Sequence, residues 1–374
     1  MSRGDSIPLL PALEPMNPLP SARADNVVAA IRTLVVDDSA FVRKVVREML
    51  SFCPFIEVVG VARDGEEALH LCEELKPDVV TCDLMMPRLD GVGFVRQQMA
   101  RRPIPILILS ASPQDGDRML EALDAGAVDF VQKPTALATD RLLGVRDQLI
   151  EKVMAAGRSR VANLTPPTPS VPQARATLPP PPGGLKVDLI VLGISTGGPQ
   201  ALRFLLPQFP ADFPVPIAMV LHMPVGYTAL FAEKLNELSQ LEVTEAKDGD
   251  VFRPGRALLA PAGRHLLLQR DAIGRIVAQL SMQPMEKAHR PSADVLFQSA
   301  AELLGSRVLA VVMTGMGDDG KLGAACVKAQ GGTVLTESAQ SCVIYGMPRT
   351  VVEAGLSDAA YPLPEMAQAI IERI

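Results

Sequence analysis

The sequence predicts an α/β protein built from two units in series. The first is a five-stranded parallel sheet with helices on both faces; the second is a doubly wound, mainly parallel sheet carrying a β-hairpin. Three observations predict this. Strand-like apolar runs alternate strictly with amphipathic helical runs from Arg32 to Ala156. A Pro-rich stretch, TPPTPSVPQARATLPPPPGG, then breaks the pattern, too poor in large apolar residues to build a core and too rich in Pro to be helical. From Val187 to the C-terminus the β/α alternation resumes.

Residues 1–30 are Pro-rich, contain PLLPALEP and have no period or apolar face, so they are expected to be a disordered extension. TLVVDD is a buried strand ending in two carboxylates, and Ser39 suits the N-cap of the helix FVRKVVREML. IEVVGVA, GEEALHLCEEL, PDVVTCD, GVGFVRQQM, IPILILS, DRMLEALDAG, AVDFVQKP and DRLLGVRDQLIEKVMAA continue as strands and helices in turn. The first unit is thus expected over 31–152, a linker over 153–186 and the second unit over 187–374. There the expected strands are VDLIVLG, VPIAMVLH, RALLAPA, HLLLQR, RIVAQL, RVLAVVMTG and GTVLTES, with an antiparallel hairpin broken at DAIG.

Composition excludes several classes. A net charge of −6, no Trp and three Tyr argue against a nucleic-acid binder, which would need a basic face and rings to stack on bases. No apolar run approaches the roughly 20 residues of a membrane span, and no secretion signal opens the chain, so a cytoplasmic protein is expected. Five scattered cysteines without a CxxC pair predict neither a disulfide frame nor a zinc site.

In the first unit, Asp37, Asp38, Asp83, Ser110 and Lys133 each fall at the C-terminal end of an expected strand, the edge where open α/β sheets bind ligands. Three carboxylates together call for a cation, and oxygen-only ligation suits Mg²⁺. A hydroxyl and an ammonium beside them complete a set able to hold a phosphoryl group. VVDDS, CDLMMPRLDG, ILSAS and DFVQKP together resemble the receiver domain of two-component response regulators, a flavodoxin-like fold. The resemblance implies that Asp83 takes a phosphoryl group from a histidine kinase. It further implies that Asp38, Asp83 and the Met85 carbonyl bind Mg²⁺ directly, with Asp37 acting through water. Ser110 and Lys133 would contact the phosphoryl oxygens, and Phe130 would be the aromatic switch residue.

In the second unit, Leu189–Leu192 reads as a buried strand leading to Gly193 and Ser195, and Pro199 starts a helix. Free backbone N–H groups and the helix dipole there favour negative charge, which suits either an attacking serine with its oxyanion or a phosphate-binding turn. The partners weigh for the serine: His222 ends VPIAMVLH, and RVLAVVMTG runs into Asp318 and Asp319, so a hydroxyl, an imidazole and a carboxylate leave three strands at one sheet edge. G-I-S-T-G also fits the α/β-hydrolase elbow, but a single strand of this unit precedes Ser195, and the order Ser, His, Asp differs from that family's. His265 and His289 are weaker candidates that would line the cleft.

GISTGGPQAL, LHMP, LAPAGRHLLL, HRPSADVLF and LAVVMTGMGDDG, behind such a first unit, resemble the chemotaxis protein-glutamate methylesterase (CheB) family. By that resemblance Ser195 is the nucleophile, His222 the base and Asp319 the orienting carboxylate, with the Met316 N–H as oxyanion donor and Thr196 beside the nucleophile. It implies a monomer that demethylates glutamate methyl esters on chemoreceptors and deamidates their glutamines, with no cofactor for hydrolysis, switched on by receiver phosphorylation. A phosphorylation-switched binding module without hydrolase activity is the alternative.

Overall fold

In the computed structural model, residues 29–111, 115–133, 139–159, 186–287 and 289–374 are described. Nearly all of the expected N-terminal extension and most of the expected linker lie outside them.

The first unit runs β1 (Ile31–Val36), α1 (Ala40–Ser51), β2 (Ile56–Ala62), α2 (Gly65–Leu75), β3 (Val79–Asp83), α3 (Gly91–Arg101), β4 (Ile106–Ser110), α4 (Gly116–Asp124), β5 (Asp129–Gln132) and α5 (Thr139–Gly157). Its strands pair in parallel in the order β2-β1-β3-β4-β5. β3 and β4 are buried along their whole length because helices cover both faces. Ser39 caps α1 as expected, accepting the Val42 N–H at 3.4 Å. The helix α5 continues to Gly157, past the boundary expected at 152.

The second unit opens with β6 (Leu189–Ile194), α6 (Gly198–Leu205), β7 (Ile217–Leu221), α7 (Thr228–Leu238), β8 (Glu242–Glu245) and β9 (Arg256–Leu259). The hairpin β10 (His265–Arg270) and β11 (Ile276–Ser281) follows, then α8 (Ala293–Leu304), β12 (Val308–Val312), α9 (Lys321–Ala329), β13 (Thr333–Glu337), α10 (Met347–Glu353), β14 (Ala359–Tyr361) and α11 (Leu363–Ile371). Seven parallel strands lie in the order β14-β13-β12-β6-β7-β9-β8, and the antiparallel hairpin forms its own two-stranded sheet. The short strands β8 and β14 were not expected; both are partly exposed edge strands without an apolar run. Although first in sequence, β6 is the central strand, so its place in the chain is no guide to its depth in the sheet.

The two units share a core. One apolar cluster joins Ala122, Leu123, Ala127 and Phe130 of the first to Phe204, Tyr227 and Phe231 of the second.

Candidate active site

Ser195, His222 and Asp319 come from the C-terminal ends of β6, β7 and β12, three adjacent strands. The first two follow their strands directly. Asp319 sits in the loop before α9. Gly197 takes φ +80°, a left-handed conformation suited to glycine, and turns the chain from Ser195 into α6. The expected Pro199 sits in the first turn of that helix.

His222 Nδ1 lies 3.2 Å from Ser195 Oγ, and its Nε2 lies 2.8 Å from Asp319 Oδ2. With the proton assigned to Nε2, Nδ1 is free to accept from the serine. Asp319, not its neighbour Asp318, holds the imidazole: Asp319 is buried and Asp318 is exposed. Asp319 also takes the N-terminus of α8, accepting Ser292 Oγ at 2.7 Å, the Ala293 N–H at 2.7 Å and the Asp294 N–H at 3.0 Å. Burial alone would raise its pKa. The hydrogen bond and charge of His222, with the Asp294 N–H and Ser292, outweigh that and hold the carboxyl well below the usual carboxylate range. His289 stacks on His222, with ring centroids 4.1 Å apart; burial and the His222 charge lower its pKa to about 4, so it is neutral near pH 7.

Thr314 holds the Ser195 backbone, its carbonyl accepting the Ser195 N–H at 3.0 Å. Gly315 follows against Ser195, where an added Cβ would meet the Met347 Sδ and, at 2.7 Å, the serine Cβ, so this turn leaves no room for a side chain at that position.

In the first unit, Lys133 Nζ bridges Asp37 at 2.9 Å and Asp83 at 2.7 Å. Burial pulls its pKa down, but the hydrogen bonds to both carboxylates outweigh that and raise it. Asp37, Asp38 and Asp83 offer oxygens that all lie within 4.8 Å of one another, a hard, all-oxygen set that fits Mg²⁺. The Met85 N–H donates to Asp83 Oδ1 at 3.2 Å.

Two of the three expected switch residues, Ser110 and Phe130, meet the second unit, while Lys133 stays with Asp37 and Asp83. Ser110 Oγ is 2.8 Å from the Tyr227 hydroxyl, and the Phe130 ring lies 4.9 Å from the Tyr227 ring. Thr196, next to the serine, donates to Asp129 Oδ2 at 2.7 Å, and Lys152 holds that carboxylate at 2.8 Å. Gln200 bonds the Ala127 carbonyl, and Arg203 pairs with Asp124. Reading the sequence alone missed Tyr227, Ser292 and the stacked role of His289. Only Ser292 carried a signal, as an N-cap residue type ahead of an apolar helix.

Fold and site together define a class: a phosphorylation-type receiver module seated on a Ser-His-Asp hydrolase module. Family models agree, with a response regulator receiver domain matching residues 33–143 and CheB methylesterase matching 190–370. A protein-glutamate methylesterase/protein-glutamine glutaminase 5 of Myxococcus xanthus is 51% identical over 342 residues, 91% of this chain and 97% of that protein. A protein of that name, without the number, from Symbiobacterium thermophilum is 43% identical over 362 residues, covering 94% and 99%. Of solved structures, the Thermotoga maritima CheB methylesterase catalytic domain is 39% identical, covering 50% of this chain and 99% of that chain at a TM-score of 0.49. The chain belongs to the CheB methylesterase family.

Proposed function

We propose that this chain is a phosphorylation-activated hydrolase that removes methyl groups from glutamate methyl esters on chemoreceptors and deamidates receptor glutamines. The observation that supports it most directly is the unbroken line Ser195 Oγ, His222, Asp319 across the ends of three adjacent strands. His222 Nδ1 takes the serine proton as Oγ attacks the ester carbonyl, while Asp319 steadies the imidazolium through Nε2. The oxyanion rests on the Met316 N–H, carried by the turn packed on Ser195, and on the positive end of α6. Collapse returns the proton from His222 to the leaving oxygen as methanol. Water, deprotonated by the same imidazole, then attacks the acyl carbonyl; His222 hands that proton to Ser195 Oγ as the acyl–oxygen bond breaks, leaving a glutamate carboxylate and the free serine. An amide follows the same course and releases ammonia.

Asp83 accepts the phosphoryl group: its oxygen bonds phosphorus as the bond to the histidine nitrogen of a chemotaxis kinase breaks. Asp38, Asp83 and the Met85 carbonyl would hold Mg²⁺, with Asp37 acting through water, and the ion would supply charge neutralisation for the phosphoryl oxygens. Unphosphorylated, the receiver covers the site, occupying Thr196 through Asp129 and Tyr227 through Ser110. A phosphoryl group on Asp83 draws Ser110 and Lys133 toward itself, loosening the contact to Tyr227.

On methylated receptor membranes, Ser195→Ala should abolish methanol release and leave Asp83 phosphorylation at the native level. Methanol release persisting in that variant would overturn the triad. The binding-module reading is distinguished by the native chain, which under that reading releases no methanol at all.

A further inference from the structure

We propose that Glu337 is a positioning residue for the hydrolysis, fixing through Thr314 the turn that holds the Ser195 main chain and carries Met316. This rests on the reading of Ser195 as nucleophile. Glu337 ends β13 and is 1% exposed. Its Oε2 accepts the Thr314 N–H at 2.9 Å and its Oε1 accepts Ser341 Oγ at 2.8 Å. Thr314 in turn accepts the Ser195 N–H, and its hydroxyl lies 3.0 Å from the Thr196 carbonyl and 3.0 Å from the Ile344 N–H. One carboxylate thus anchors the residue that ties the nucleophile loop to the Met316 turn.

Burying a carboxyl at a strand end costs more than an apolar side chain of similar volume would, so stability alone gives no reason for it. Burial pushes its pKa up to about 7, against the pull of the Thr314 N–H and Ser341. The Cys342 thiol is the titratable group beside it on its own loop, and no basic side chain contributes to the shift. Tyr361, its register partner on β14, has its hydroxyl 2.7 Å from Arg373. A carboxyl pushed up to about 7 changes charge between pH 6 and 8, and the ionised form accepts the Thr314 N–H more strongly.

The test uses the full chain, phosphorylated with acetyl phosphate and Mg²⁺, on methylated receptor membranes between pH 6 and 8. Glu337→Ala should lower kcat by about tenfold with KM changed by less than about threefold and Asp83 phosphorylation unaltered. Glu337→Gln, which keeps the shape, should recover most of kcat, and its ratio to native kcat should change by about threefold across that range. If the alanine variant does not fold, the glutamine profile decides alone. Native kcat in the alanine variant, or a flat ratio for the glutamine variant, would overturn the proposal. A native chain that releases no methanol would instead overturn the reading of Ser195.

Discussion

At the scale of single residues, the site is a hydrogen-bonded line whose base is held on three sides. Asp319 fixes one nitrogen of His222, Ser195 meets the other, and the neutral His289 ring covers a face. Holding His289 neutral has a pH cost. Its ordinary value of 6.5 falls to about 4 in the folded chain, so between these values the folded state binds fewer protons than the unfolded one. The stability this contributes is present above pH 6.5 and is lost as pH falls through 4. The gap converts to about 3 kcal/mol, and partial exposure of the ring brings the expected loss to about 2 kcal/mol. Urea unfolding of the full chain at pH 7 and pH 4.5 should show His289→Asn losing less stability on acidification than the native chain. Equal losses would refute this. Ser195, His222, Asp83 and Lys133 were legible in the sequence because each ends an apolar run, a local signal. No local pattern separates Asp318 from Asp319, since adjacent loop residues differ only in direction; the family resemblance pointed to Asp319, and that carboxylate is the one beside His222.

At the scale of elements, α8 and α9 cap each other. Asp319, just before α9, accepts the Ala293 and Asp294 N–H groups of α8. Asp294 on α8 returns the bond, its Oδ1 accepting the Gly320 N–H at 2.9 Å and the Gly323 N–H at 2.8 Å at the start of α9. Ser292 at the N-cap does not cap α8 with its own side chain; its hydroxyl goes to Asp319 instead. The carboxylate that holds His222 is thereby fixed by two helix ends and their dipoles. Asp294→Ala strips an acceptor from two buried N–H groups and should cost about 1–3 kcal/mol of stability. Since Gly320 follows Asp319 directly, kcat should fall by about tenfold while KM holds. Thermal melting and methanol release measure the two effects, and a variant with native kcat would show that the caps do not set the carboxylate. The elements themselves were legible wherever a buried strand or amphipathic helix made a periodic run. The edge strands β8 and β14 were not, because neighbouring strands rather than their own side chains make them strands.

At the scale of the whole molecule, the switch end of the receiver and the mouth of the active site are one surface. Ser110 and Phe130 both meet Tyr227, five residues beyond His222, and Asp129 meets Thr196, next to Ser195. Tyr227→Phe keeps the ring against Phe130 and removes one buried hydrogen bond of about 0.5–1.5 kcal/mol, or about two- to tenfold in the closure equilibrium. The unphosphorylated rate should rise by that factor, the fully phosphorylated rate should stay at the native level, and Asp83→Ala should show no response to phosphodonor. An unphosphorylated rate unchanged by Tyr227→Phe would show that Ser110 does not hold the receiver closed.

The chain alone determined the two α/β units, the acidic and lysine set of the first and the serine and histidine of the second. All of these are written in hydrophobic period and in residues at strand ends, which depend on near neighbours. The tertiary structure alone decided that β6 lies at the centre of its sheet and that Tyr227 and Thr196 face the receiver. Each of those joins residues far apart in the chain, and such contacts are set by how the packed elements settle against one another, which no local pattern encodes.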